Sequence, residues 1–589
     1  MKWRKHYEVN SVSVAIITMA LMTLACGKTI YVDDDATGAN DGSSWENAYV
    51  YLQDALADAN ESVKHALAPP QVSLSNEPVE IRVAQGIYKP NGGIVAIPGF
   101  DWRSLSFQLI NGVTIKGGYA GAVDPNARDI ELYETVLSGD LDGNDDNNPF
   151  DVTRTDNSYH VLTAIEADET AVLKGFTITK GNGLVISIKD AKDGGGMYNE
   201  NSTPNLICCT FISNSGMYGG AMYNLNSSPI LTECEFIENV SPDGAGIYNK
   251  DHSNPRLINC IFTRNFSGIG SGMSNFQSSP NLTNCIFISN ISDVRGGGIS
   301  NDQHSNTILT SCKFTGNKSA YGGGIYNYNN SMLILKGCTL SGNSASIWGG
   351  GMYNGVSSYT TLTNCTFIGN SAEREGDGIF NGDSNLTITN CILRNGGNEI
   401  WHDDDSNIIV TYSNLQDGWG GHGNIDEDPL FAEPGYWANV NDLNIVVEPN
   451  FWNTIWVDGD YHLKSEAGRW NPNTQTWVTD DMTSPCIDAG DPNMPVGDEP
   501  FPSGIRINMG AYGGTDQASK TISDVPEVVN VNDSDNGSQV TLRQGQILAV
   551  TLESNPSTGY SWDRIEKENS ILEKFGDTLY FPSEDDDGI

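Results

Sequence analysis

By residue type, the positions best suited to chemistry in this chain are two acidic clusters. One is Asp140, Asp142, Asp145 and Asp146; in the other His402 precedes Asp403, Asp404 and Asp405. Clusters rich in carboxylate oxygen hold calcium, and carboxylate pairs flanking a sugar linkage supply the acid and base for cleavage. Both clusters lie in Gly- and Asn-rich turn context, where solvated loops account for them without a ligand. A third group suits recognition: Asn555, Pro556, Ser557, Thr558, Gly559 and Tyr560, followed by Trp562. Pro and Gly make this a stiff protruding turn, which lowers the ordering cost of binding. The expectation is therefore a non-enzyme with no catalytic residues and no required cofactor, calcium being left open. Cleavage of polysaccharide by a lyase or a glycoside hydrolase is the alternative.

The elements that carry these groups follow from a repeat. Eight times between Asp193 and Gly397 the chain runs through a Gly-rich turn, an aromatic-Asn pair, a Ser/Pro turn and Leu-x-x-Cys-x-Phe-x-x-Asn. Cys209, Cys234, Cys260, Cys285, Cys312, Cys338, Cys365 and Cys391 recur with a period in the mid-twenties, and Asn199, Asn224, Asn249, Asn275, Asn301, Asn327, Asn354 and Asn381 keep the same step. A unit this short cannot bury its apolar face alone, so each must stack on the next and place like residues over like. Leucine-rich repeats share the period, but the Gly-Gly-Gly-Met-Tyr-Asn-x-x-Ser-Ser-Pro remainder lacks helix formers. The reading that remains is all-β, a right-handed parallel β-helix of short strands. The eight cysteines then form one buried column of free thiols, each acting as a small hydrophobe. No Cys-x-x-Cys or Cys/His spacing suggests zinc.

Three resemblances extend this reading. Gly219-Gly220-Ala221-Met222 with Phe236-Ile237-Glu238-Asn239, and Gly296-Gly297-Gly298-Ile299 with Phe287-Ile288-Ser289-Asn290, resemble the paired signatures of chlamydial polymorphic outer-membrane proteins. That likeness implies a β-helix stalk at a cell surface. The strand at Thr29-Ile30-Tyr31-Val32, the helical pattern from Tyr51 to Ala59 and the strand-like runs at 79–83, 113–119, 160–162 and 173–178 resemble the amino-terminal half of secreted pectin-lyase-like proteins, and so imply a capped β-helix with carbohydrate as a partner. Strands at 540–542 and 547–552 feeding Asn555 to Trp562 resemble the chagasin family of cysteine-protease inhibitors. In that family a small immunoglobulin-like β-sandwich inserts such a loop into the cleft of papain-like proteases. The resemblance implies a papain-like cysteine protease as partner, with Asn555, Pro556, Ser557, Thr558, Gly559 and Tyr560 in the cleft and Trp562 anchoring the loop. The family's other two loops would fall beyond Ile589, so a partial sandwich is expected.

Composition sets the compartment. Asp and Glu number 74 against 32 Lys and Arg, a net charge of −42 over 589 residues. Nucleic acid binding needs a cationic face and is excluded as an expectation. Lys2, Arg4 and Lys5, an apolar run from Val12 to Leu24, and Ala25-Cys26 read as an export signal. The protein is accordingly expected outside the cell or on its outer surface, by simple cleavage and secretion or with Cys26 as a lipid anchor. The expected organisation is a signal over 1–26, a cap and first coils over 27–192, regular repeats over 193–397, a closing segment over 398–520, a linker over 521–537 and the partial inhibitor domain over 538–589.

Overall fold

The computed structural model describes residues 27–66, 79–92, 99–145, 152–184, 192–521, 528–531 and 547–550. Each repeat forms one coil of a parallel β-helix, and four short strands of successive coils stack into four parallel sheets. The first, here the leucine sheet, has 13 strands from Thr29–Val32 to Asn407–Thr411; the second, the asparagine sheet, has 11, from Phe107–Gln108 to Ile400–His402; the third, the phenylalanine sheet, has 12, from Gly86–Tyr88 to Asn414–Leu415. A fourth sheet of six strands runs from Val240–Asp243 to Ser371–Ala372. Register keeps like over like: Leu231 pairs with Leu257, Phe236 with Phe262 and Asn249 with Asn275.

The Leu-x-x-Cys-x-Phe stretch is two strands meeting at a corner. The corner is a single residue with positive φ, Asn259 at 55° and Asn284 at 53° among them. Side chains of this type tolerate the left-handed conformation best, and the stacked coils on either side hold it.

The interior is built from ladders. All eight repeat cysteines are buried, and the ten cysteines among the described residues are free. Phe211, Phe236, Phe262, Phe287 and Phe314 stack face to face at 4.5 to 5.2 Å between centroids, until Leu340 replaces the ring. Polar groups inside such a core must find partners or destabilise it. In the asparagine sheet Asn199, Asn224, Asn249 and Asn275 each pass an Nδ2–H to the Oδ1 of the next, ending at Asn301, at 2.7 to 2.8 Å.

A second run, Asn214 to Asn395, lies past the phenylalanine sheet; from Asn239 on, each Asn accepts both the backbone N–H and the Nδ2–H of the preceding coil's Asn. A third ladder, unforeseen in the Ser/Pro turns, runs from Ser202 to Ser384, each hydroxyl accepting the backbone N–H of the Ser one coil earlier at 3.0 to 3.3 Å.

Both flanks of the repeats are closed. Helix Leu52–Ala66 turns Leu52, Ala55, Leu56 and Ala59 into the same core as the first strands. Past Leu415 a last stretch still stacks, Ile425 bridging Asn414 in parallel, and beyond it the chain folds back along the outer side of the phenylalanine sheet. There Phe431, Tyr461, Leu463, Cys486, Ile487 and Met509 pack on Ile368 and Ile392. The closing segment thus closes the helix from its flank. Inside the stretch read as a linker, Val528–Val531 forms a strand paired in parallel with Ile547–Val550. Apart from those strands, the inhibitor-like reading, including Asn555 to Trp562, lies outside the described residues, as do Cys26 and the rest of the signal.

Candidate functional site

The outward residue beside each ladder asparagine forms a second column. In register it reads Tyr198, Tyr223, Tyr248, Ser274, Ser300, Tyr326, Tyr353, Phe380 and Trp401. The rings stack below the gap at 5.6 and 5.7 Å, and above it at 4.8, 4.8 and 4.3 Å. Between Tyr248 and Tyr326 the column is interrupted for three coil steps, about 14 Å at the spacing of neighbouring strands.

Charged side chains from the fourth sheet occupy that interruption. Arg295 is in register between Ile269 and Tyr321, and its guanidinium lies 5.4 Å from the centroid of the Tyr326 ring. Its Nη2 pairs with Asp302 Oδ2 at 3.1 Å, Asp302 being two residues beyond Ser300 on the same strand. Asp243 ends the first strand of the fourth sheet and bridges to Tyr218. Burial pushes its carboxyl up to about 7; Ser274 and the Arg295 charge pull it down, and the Asp302 charge pushes it further up. Asp243 Oδ1 and Arg295 Nε are buried without a hydrogen-bond partner among the described residues. The interruption thus gathers a carboxyl raised by burial, an ion-paired carboxylate and a guanidinium beside an aromatic ring.

The acidic clusters singled out by sequence take other roles. Asp140 is buried, not solvated: its carboxylate accepts backbone N–H groups of Gly143 at 2.6 Å and Asn144 at 3.1 Å, and pairs with Lys180 at 3.0 Å. Those contacts hold the carboxyl below its ordinary range against the opposing effect of burial. Asp145 accepts from Asn157 Nδ2 at 2.6 Å, Asp142 stays exposed, and Asp146 lies outside the described residues. Asp140 thus holds the turn that follows it through the N–H groups of Gly143, Asn144 and Asp145, which composition could not reveal. Asp403 accepts the Asp383 N–H at 2.9 and 3.0 Å and the Ser406 hydroxyl at 2.6 Å, while Asp404 and Asp405 point to solvent. His402 is exposed and edge-on to Trp419.

Three further carboxylates, Asp33, Asp34 and Asp35, bring ligand atoms within 4.8 Å of one another near the amino-terminal end. The Asp33 carboxylate already accepts the Asp35 N–H at 3.2 Å, as a turn does. Sequence reasoning missed Asp243, Arg295 and Asp302 because no charged pair recurs in the repeats. The available signal was the lapse of the repeat itself, Ser for an aromatic in two consecutive units.

With the geometry in place, comparison with known proteins gives the following. The family model described as right handed beta helix region matches residues 275–424, and one described as disaggregatase related matches 424–490. The fold is therefore a right-handed parallel β-helix, and the second match falls on the flanking segment. No curated protein sequence matches the chain. Among solved structures it is similar to pectate lyase Pel9A, with 13% identity over 83% of this chain and 97% of that one and a TM-score of 0.32. It is also similar to a rhamnogalacturonan lyase, with 13% identity over 69% of this chain and 91% of that one and a TM-score of 0.34. Among the described residues, no helix is long and apolar enough to cross a membrane.

Proposed function

We propose that this protein is an exported β-helix that binds carbohydrate in the groove at Asp243, Arg295 and Asp302. The observation that carries the reading is the replacement of two rings of the aromatic column by Ser274 and Ser300, with a carboxyl, a guanidinium and a carboxylate gathered at the interruption. Sugars are recognised by apolar ring faces and edges together with a few polar groups that pair with hydroxyls. A hydroxyl is both donor and acceptor, so it can pair with a guanidinium N–H and a carboxylate oxygen.

The test is affinity measurement with defined oligosaccharides by calorimetry. Arg295→Gln and Ser300→Tyr, the latter restoring the column and displacing the triad, should each abolish binding; unchanged affinity in both sinks the reading. A second reading, glycosidic cleavage, is favoured by Asp243 holding its proton near neutral pH while Asp302 pairs with Arg295, as an acid and its partner carboxylate would. Asp243→Asn should then stop release of reducing sugar and leave binding intact.

For the tail, the sequence motif from Asn555 to Tyr560, with Trp562, supports engagement of a papain-like cysteine protease. The full chain should slow such an enzyme reversibly, and Thr558→Arg or Gly559→Glu should relieve it by crowding the loop tip.

A further inference from the structure

The chain carries 74 acidic residues, yet one face has none. From Asn205 to Thr411 the leucine sheet presents nine strands, and the side chains they turn outward include no Asp or Glu and two cations, Arg256 and Lys336. The rest is Thr, Asn, Ile, one Met and one Tyr. Exposure is substantial: Tyr359 is 56% exposed, Ile409 50%, Met332 40% and Ile308 37%. A threonine column runs beside them at Thr310, Thr363, Thr389 and Thr411, interrupted by Lys336, and the hydroxyls of Thr389 and Thr411 lie 3.3 Å apart.

We propose that this face is a docking strip for a single extended chain of a neutral polysaccharide. Shape selects the polymer. Nine strands at about 4.8 Å make a strip about 40 Å long, and three to five residues per strand make it about 10 Å wide. That is about 400 Å², half of the roughly 800 Å² per partner that a stable protein interface buries. A globular partner or a second copy gains too little on such a strip, while one polymer chain can follow its whole length.

Charge selects the neutral class. An anionic polymer would meet two cations on the strip and the acidic remainder of the chain around it. An extended peptide gains affinity from sheet edges, and here the sheet offers its side-chain face. Asn and Thr side chains pair with hydroxyls, and Ile, Met and Tyr cover the apolar faces of sugar rings. The strip lies on a different sheet from the Asp243 groove, and the inference does not depend on that site.

Affinity electrophoresis of the full chain tests it, with hydroxyethyl-cellulose and a soluble β-glucan as neutral gels and polygalacturonate and alginate as anionic ones. The expected result is retardation in a neutral gel that persists at high salt. Thr310→Asp/Thr363→Asp/Thr389→Asp should weaken it at least tenfold while Val123→Asp, at a position 90% exposed and off the strip, leaves it unchanged. If the triple variant unfolds at lower temperature, Tyr359→Ala/Ile409→Ser provides the same comparison without added charge. Absence of retardation in both neutral gels, equal retardation of the folded variants, or stronger retardation in the anionic gels overturns the proposal. A dimer of the wild type that the strip variants lose would assign the face to a second copy and overturn it as well.

Discussion

Glu399 accepts two hydrogen bonds from Asn395, one from the backbone N–H and one from Nδ2, each at 2.6 Å. It thereby stands where the next asparagine of the ladder would be. Asn370 makes the same pair of bonds to Asn395 Oδ1, so the Asn214 to Asn395 run terminates on a carboxylate. A chain of aligned amides polarises along its length, and a carboxyl acceptor at its end completes it.

Burial pushes the Glu399 carboxyl up to about 7, with the Asp377 charge adding to the rise and the Asn395 donors opposing it. Between the ordinary glutamate range and 7 the folded protein holds a proton that the unfolded chain releases. The stability this confers is complete below about pH 4.5 and lost as pH rises through 7, on the order of 3 kcal/mol. Glu399→Gln removes the titration, so its melting temperature relative to wild type should rise from pH 5 to pH 8. A constant difference across that range would show that Glu399 does not titrate there.

Removing one asparagine from the middle of that run should be expensive. Asn290 accepts two N–H groups of Asn265 and donates to Phe262 O and Asn317 Oδ1. Asn290→Ala removes these four bonds, leaving the buried Asn265 backbone N–H without its acceptor, and should cost at least about 3 kcal/mol in denaturant unfolding. Asn281→Ala, exposed on the outer face of the leucine sheet, should cost under about 0.5 kcal/mol.

The first ladder has a flaw that can be repaired. Asn301 Nδ2 and Asn327 Oδ1 lack partners among the described residues, and Thr307 Oγ1 donates to Asn301 Oδ1 at 2.7 Å. The leucine-sheet strand lengthens here from three residues to five, which brings Thr307 into the core. Thr307→Val frees Asn301 from that bond, and the variant should lose less than about 1 kcal/mol despite the deleted hydrogen bond. A loss of about 2 kcal/mol or more, the range expected when a buried partner is left unpaired, would mean the hydroxyl is needed where it is.

The thiol column predicts a reactivity pattern. In native protein the eight ladder cysteines should resist thiol reagents, and in unfolded, unreduced protein all eight should react. Cys208, half-buried and 3.2 Å from Glu233 Oε2, has its thiol pushed up to about 11 by burial and then by that carboxylate. It should react sluggishly at pH 8, and Glu233→Gln should accelerate it. Cys285→Arg should destabilise by several kcal/mol, since an unpaired charge would enter a close-packed core.

The flanking segment should detach as a unit. Trp456 lies over Gly342 and Gly369, where a Cβ would fall within its ring, and Trp437 Nε1 donates to Gly369 O at 2.8 Å. Lys318 Nζ donates to the carbonyls of Phe451 and Thr454, and Lys313 pairs with Asp458. Gly369→Ala should therefore expose sites beyond residue 424 to limited proteolysis while the coils before it remain resistant. Cleavage that spreads equally into 193–397 would contradict a separable flank.

What the sequence determined by itself is the part of the structure that repeats. A period in the mid-twenties with Cys, Phe and Asn at fixed offsets leaves stacking as the way to bury those side chains, so the β-helix, the thiol column and the first asparagine ladder were legible from spacing. The groove was not. Asp243 and Arg295 sit on fourth-sheet strands two coils apart, at positions that do not recur, while Asp302 follows Ser300 on the asparagine sheet. Tertiary structure also decided the fate of the acidic clusters. Asp140 is buried and holds the turn that follows it, and Lys180, far along the chain, neutralises it. Periodicity transmits packing through sequence, because each unit meets a copy of itself; a charged site departs from the repeat, and its partners are set by where the coils place them.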